Sequence, residues 1–115
     1  MQGQHRDAKT LGAEAIKYSK ALTDHRGVAW SLEPVAAAAA AEGDADRAAR
    51  LWGASDSLLE HVGSTLTPTH QSFRVSYFNV ASERLGDDAF HAALLQGRGM
   101  SFTQAVQYAL SSPHE

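Results

Sequence analysis

Residues 27–63 read GVAWSLEPVAAAAAAEGDADRAARLWGASDSLLEHVG, and this stretch decides the fold. Apolar residues recur at helical spacing on both sides of a Glu42-Gly43-Asp44 junction. They are Val28, Leu32, Val35, Ala36 and Ala39 before it, and Ala48, Leu51, Trp52, Ser55, Leu58, Leu59 and Val62 after it. Gly43 can end the first helix and Asp44 can cap the second. Because so short a connection makes consecutive helices antiparallel neighbours, the stretch predicts a helical hairpin.

The rest of the chain predicts further helices and no strands. Helical spacing extends over about 5–22, 25–42, 45–62, 69–85, 88–96 and 102–110. The predicted fold class is therefore all-α, with five to six helices in a single domain over 1–115. Residues 64–115 are expected to form a C-terminal helical cap on the helices of 1–63.

Local signals indicate where several of these helices begin and end. Thr67 precedes a proline, which predicts an N-cap followed by a first-turn proline. Ser101 and Gln104 have the spacing of a capping box. Asp87 follows a glycine and is interpreted as the cap of the next helix, which the Gly-Arg-Gly of 97–99 is expected to end.

Pro34 lies inside the helix predicted over 25–42 and leaves two alternatives open. An interior proline removes a backbone hydrogen bond and clashes with the preceding turn, which predicts a kink near Trp30. Alternatively, the helix begins near Pro34, since proline is favoured in a first turn.

Composition excludes several classes of function. The net charge is −3 and the cations are scattered singly, whereas nucleic-acid binding needs clustered cations, so no direct nucleic-acid contact is expected. The chain has no cysteine, which excludes a disulfide framework and a thiolate zinc site. The longest weakly apolar run, 35–41, is too short to cross a bilayer. A cytoplasmic location without membrane contact is the default expectation.

The hairpin resembles a tetratricopeptide-type repeat. The residues that match its large and small packing positions are Leu32, Val35, Ala36, Ala39, Ala48, Trp52 and Ser55. The wider sequence of 24–33, 41–44, 47–54, 85–90, 97–101 and 104–106 is similar to the C-terminal helical region of LuxR-type and AfsR/MalT-like bacterial ATP-binding transcriptional regulators. The resemblance implies tetratricopeptide-like antiparallel helix pairs over 1–63.

In functional terms the resemblance implies a sensor or protein-interaction arm. In that family the nucleotide site and the DNA-binding helices lie in separate modules. This chain has no glycine-rich phosphate loop ending in Gly-Lys-Ser/Thr. The predicted function is thus a non-enzymatic interaction or regulatory module without a catalytic residue, cofactor or metal.

Arg26, Trp30 and Glu33 are the candidate partner-binding residues. Trp30 falls outside the inward stripe of its helix, and a rigid aromatic ring beside charged groups suits a protein interface. Burial of Trp30 in the core is the competing interpretation. Trp52 lies in the inward stripe and is predicted to be core.

Two further groups of residues have structural interpretations. Phe73, Tyr77 and Phe78 are predicted to form a core cluster. Asp87 and His91 are one helical turn apart and could share a metal, but no His-x3-His pair anchors a tetrahedral site. Capping is therefore the preferred role of Asp87.

The partner predicted for the module is a second copy of the chain or another module of a regulator. The helix over 5–22 lacks a hairpin partner, and the open end of a helical repeat needs a cap, which predicts a homodimer. The alternative function is a small-molecule sensor or small enzyme. Its pocket would open between the helices over 25–42 and 69–85.

Overall fold

The computed structural model describes residues 25–111, and this part of the chain consists of five α-helices without a strand. They are α1 (His25–Ala41), α2 (Ala45–His61), α3 (Pro68–Leu85), α4 (Asp87–Arg98) and α5 (Phe102–Leu110). The predicted all-α class is confirmed. The helix predicted over 5–22 lies outside the described residues. None of the five helices is long and apolar enough to cross a membrane.

Helices α1 and α2 form the predicted hairpin. Gly43 takes a φ of +92°, which glycine adopts without strain, and Oδ1 of Asp44 accepts a hydrogen bond from the Arg47 amide at 3.2 Å. The Ser55 hydroxyl donates to the Ala29 carbonyl at 2.9 Å in the buried interface. Ala29 and Ser55 lie on opposite sides of the turn at similar distances from it, as residues that contact each other in antiparallel helices do.

Helix α1 runs without interruption through Pro34. The alternative that the helix begins near Pro34 is therefore wrong. The alanines beyond it, Ala36 to Ala40, are each at most 5% exposed, so neighbouring segments pack closely around this part of α1.

Helix α3 runs parallel to α1 and also contacts α2. Along α1, Trp30 meets His70 and Glu33 meets Arg74, so the two helices advance in the same direction. The Thr67 hydroxyl accepts a hydrogen bond from the backbone N–H of residue 70, as the predicted N-cap requires.

The aromatic residues of α3 are less buried than predicted. Phe73 is 40% exposed, whereas Tyr77 and Phe78 are half-buried against the core. The prediction that all three form the core is therefore wrong for Phe73. Ala81 is the α3 residue that lies fully inside, because the helix presents a narrow face to its neighbours.

A single residue, Gly86, joins α3 to α4. It has a φ of +91° and caps the end of one helix and the start of the next, without a side-chain cap. The predicted capping role of Asp87 is wrong, since Asp87 is already the first residue of α4. Its carboxylate still lies in the first turn, where the helix dipole favours negative charge.

Helix α4 lies against α2 with the two backbones in direct contact. A Cβ atom built on Gly97 would lie 2.0 Å from the Arg50 carbonyl oxygen, and one built on Gly53 would lie 2.1 Å from the Leu94 carbonyl oxygen. Helix α4 ends at Arg98 with Gly99 as its C-cap, within the predicted Gly-Arg-Gly segment and two residues beyond the approximate end at 96. Gly97 lies in the last turn of α4 and permits the close contact with α2.

Helix α5 is fixed at both ends. Ser101 and Gln104 form the predicted capping box at its start. Arg47 of α2 donates hydrogen bonds to the carbonyl oxygens of Tyr108, Ala109 and Ser111 at 2.9–3.1 Å. Periodicity assigns Arg47 to the polar side of α2, but its side chain is buried and caps the last turn of α5.

The core lies between α2 and the helices around it. Trp52 is 1% exposed and contacts the rings of Phe78 and Phe90, with centroids 5.2 and 6.3 Å away. The predicted core position of Trp52 is confirmed. Phe78 of α3 and Phe90 of α4 pack edge to face, with ring centroids 4.7 Å apart. The two rings and Trp52 thus form one aromatic cluster that joins α3 and α4 to α2.

Candidate functional site

The three residues predicted to bind a partner have different environments on α1. Arg26 is exposed, Trp30 is half-buried, and Glu33 is 1% exposed. The Trp30 ring is nearly parallel to the His70 ring of α3, with centroids 5.9 Å apart, and no described residue accepts a hydrogen bond from its buried Nε1. Of the three side chains, only Arg26 is exposed.

The Glu33 carboxylate pairs with Arg74 of α3. Both of its oxygens accept hydrogen bonds from that guanidinium, Oε1 from Nε at 2.8 Å and Oε2 from Nη2 at 2.6 Å. Nη1 of Arg74 donates to Oδ1 of Asp56 on α2 at 2.9 Å. One guanidinium therefore joins three helices, and its planar geometry suits the two-point contact with Glu33.

The charge state of Arg74 follows from this arrangement. Burial lowers the pKa of Arg74, but the hydrogen bonds and negative charges of Glu33 and Asp56 outweigh it and raise the pKa above its ordinary value. Arg74 therefore stays protonated. Since two carboxylates share one cation, the cluster has one excess negative charge.

A surface groove opens beside this charge cluster, between α2 and α3. It consists of two adjoining cavities of about 270 and 320 Å³ that share Leu66, Gln71 and Arg74. Asp56 and Glu60 line the first cavity, and Val75 and Phe78 line the second. The groove is thus acidic at one end and apolar at the other.

Charged side chains that line this groove form ion pairs, Asp56 with Arg74 and Glu60 with Arg98. Three of the five N–H groups of Arg74 donate to the carboxylates of Glu33 and Asp56, whose negative charges oppose the binding of an anion at this guanidinium. Asp56 is 35% exposed and uses one carboxylate oxygen for Arg74, which leaves the second oxygen facing no described donor. A ligand that places a cation near Asp56 and an apolar group near Val75 would match both ends.

Sequence reasoning does not find the charge cluster. Glu33 and Arg74 are 41 residues apart, and neither lies in a motif that indicates pairing. Only the parallel arrangement of α1 and α3 brings them together. The sequence offers one signal that Glu33 is buried, namely that its neighbours in the chain are mostly apolar.

Within residues 25–111, no group of three or more His, Asp or Glu side chains is arranged to hold a metal ion. Asp87 and His91 are both exposed on α4. Asp87 contacts the hydroxyl of Ser82, at 3.5 Å.

Comparisons with protein-family models, with curated proteins and with solved structures give no match for this chain. The fold and site define an all-α domain with a buried charge cluster beside a mixed acidic and apolar groove. The similarity to LuxR-type and AfsR/MalT-like regulators stays a prediction that rests on the sequence.

Proposed function

We propose that this chain is a non-enzymatic protein-interaction module with a regulatory role, similar to the helical sensor arm of a LuxR-type or AfsR/MalT-like transcriptional regulator. The observation that carries the proposal is the apolar surface of α3. Phe73 and Val80 are seven residues apart and therefore lie on the same side of this helix, where they are 40 and 49% exposed. Exposed apolar groups that cluster on a surface mark sites where another protein binds.

The packing of the first three helices supports a tetratricopeptide-like arrangement. Helices α1 and α2 form an antiparallel hairpin, and α3 then lies parallel to α1 while it contacts both. This is the order of helices in repeats that stack one hairpin on the next. In such a stack the outer side of the last helix is where the following unit packs.

The partner in this proposal is a second copy of the chain or another module of a regulator, in the cytoplasm. Neither a membrane nor a nucleic acid is part of the proposal. For the isolated chain, we infer that a second copy covers the exposed apolar residues of α3. The proposal therefore expects a homodimer.

Sedimentation velocity over a hundredfold concentration range tests this expectation. The wild type should approach the mass of a dimer as concentration rises, and Val80→Asp should shift the transition to higher concentration. Asn79→Asp is the matched control, because it adds the same charge to an exposed polar position of the same helix. A wild-type chain that stays monomeric throughout would overturn the proposed dimer.

A small-molecule sensor is the second candidate function, and the groove beside Arg74 is the observation that favours it. This groove lies between α2 and α3. It does not lie between α1 and α3, where the pocket was expected and where the Glu33–Arg74 pair now packs. Thermal shifts across a metabolite panel test this function, and a panel without shifts would count against it.

A further inference from the structure

Two side-chain oxygens in the groove between α2 and α3 accept no hydrogen bond from the described residues. Arg74 donates to one oxygen of Asp56, at 2.9 Å, and leaves the other without a described donor. Nε2 of Gln71 donates to the Leu66 carbonyl at 2.9 Å, and no described residue donates to the Gln71 side-chain oxygen. Asp56 and Gln71 both line the cavity of about 270 Å³. The groove therefore has a carboxylate oxygen and an amide oxygen with which a ligand can form hydrogen bonds.

The charges around the groove favour a cationic ligand. Arg74 is the one cation among the described residues that line the two cavities, and Glu33 pairs with it through both oxygens without lining either cavity. Glu60 lines the first cavity and pairs with Arg98. The negative charge of Asp56 thus remains in excess, and it attracts a cation more strongly at this partly exposed position than it would in bulk water.

The apolar end of the groove has room for a hydrocarbon group. Leu66, Val75 and Phe78 line this second cavity, which has a volume of about 320 Å³. An apolar cavity of about 150 Å³ is already large enough to bind benzene. Gln71 and Arg74 line both cavities, so the acidic and the apolar end adjoin each other. A ligand can therefore reach both ends when a short linker joins its cation to its apolar group.

We propose that this groove binds a primary amine that carries an apolar ring or chain, an inference that rests on the small-molecule function given above as the second candidate. An ammonium group has three N–H donors and no acceptor, which matches the oxygens of Asp56 and Gln71. A quaternary ammonium has no N–H group and is recognised by cages of aromatic rings, whereas Phe78 is the one aromatic residue among the described residues of the groove. An anion would instead meet the carboxylates of Asp56 and Glu60.

NMR titration of the full chain with phenethylamine tests the site. The amine should shift the backbone amide signals of Asp56, Gln71 and Val75, which come from both ends of the groove. Two related compounds separate the contributions, since phenethyl alcohol lacks the charge and ethylamine lacks the ring. Both should bind more weakly than phenethylamine. The affinity for phenethylamine should also fall as salt is added, whereas that for the uncharged alcohol should not.

Asp56→Asn removes the charge and preserves the shape of the side chain, including an oxygen that can accept the hydrogen bond from Arg74. Asp56 is 35% exposed, so the loss lies between that of an exposed and that of a buried ion pair. We expect the variant to bind phenethylamine about five- to tenfold more weakly and phenethyl alcohol as well as wild type does. Asp46→Asn is the matched control, because Asp46 lies on the same helix and pairs with Arg50, but does not line the groove.

The results distinguish a wrong ligand class from a wrong function. Equal affinities of wild type and Asp56→Asn for phenethylamine, or no binding at all, would overturn the amine site. If the metabolite panel then gives thermal shifts with anionic or uncharged compounds, the small-molecule function stands and the ligand class alone is wrong. A panel without shifts counts against both. A lysine-containing peptide that binds these residues more tightly than phenethylamine would overturn the free amine as the ligand.

Discussion

Replacing Gly97 by alanine should destabilise the domain although alanine is the better helix former. At an ordinary helical position the change stabilises by about 1 kcal/mol. At Gly97 the new Cβ atom would lie 2.0 Å from the Arg50 carbonyl oxygen and 3.0 Å from the Ala54 amide nitrogen. Both obstacles are backbone atoms of α2, so no side chain can rotate away to make room.

The magnitude follows from the distance that the helices must separate. Ordinary contact between heavy atoms begins at about 3.5 Å, so α4 must move away from α2 by roughly 1.5 Å. Overpacking in a core typically costs 1–3 kcal/mol, and here it also loosens the contacts of Phe90 with Trp52. After the gain in helix propensity is subtracted from a cost near the upper end of this range, we expect a net loss of about 2 kcal/mol in the free energy of unfolding, which lowers the Tm by roughly 8 °C or more.

Urea denaturation followed by tryptophan fluorescence, to which the buried Trp52 and the half-buried Trp30 both contribute, measures this loss. Gly99→Ala is the matched control, because its nearest atoms are 3.5 Å from the added Cβ and its φ of −80° suits alanine. The control should stay within about 0.5 kcal/mol of wild type. A Gly97→Ala variant as stable as wild type would refute the direct contact of the two backbones.

Two further predictions concern charged and titratable groups. Glu33→Gln should lower the free energy of unfolding, measured by urea denaturation, by about 2–3 kcal/mol. This loss is smaller than the 3–5 kcal/mol typical of a broken buried ion pair, because Asp56 still pairs with Arg74 in the variant. Glu60→Gln, which breaks an exposed ion pair, should leave stability nearly unchanged, and equal losses for the two variants would contradict the buried cluster. Burial raises the pKa of Tyr108 above its ordinary value of 10.0, against the opposing effect of nearby cations. A raised folded-state pKa gives stability that is complete below pH 10 and is lost as the pH rises through that pKa. The wild type should therefore lose stability as the pH rises above 10, and Tyr108→Phe should lose less.

The helix boundaries were predictable from the sequence because their signals are local. Asp44, Thr67 and Ser101 each cap a helix with a side-chain oxygen that accepts a hydrogen bond from the amide three residues further along the chain. Such a contact depends on a few neighbouring residues. The hairpin likewise follows from one glycine and two amphipathic stretches.

The contacts that fix the tertiary structure were not predictable, because each depends on a distant backbone or side chain. Periodicity assigns Arg47 to solvent, yet its guanidinium binds carbonyl groups more than 60 residues away. Gly97 reads as a helix end, but it is a contact surface for α2. Glu33 reads as part of an exposed surface, yet it pairs with Arg74 inside the domain. The apolar residues of α3 cover too wide an arc to show which side faces inward, and Phe73 was misplaced for that reason.

The single-residue connection at Gly86 couples the orientations of α3 and α4. With no loop to absorb motion, a rotation of α3 must turn α4, or else change the φ of this one residue from +91°. Helix α4 in turn lies against the backbone of α2 at Gly53 and cannot slide without lifting away from it. A partner that displaces α3 would therefore also displace α4, and with it the contact between α4 and α2. Binding at the outer surface of α3 would in this way change the packing of the α1–α2 hairpin.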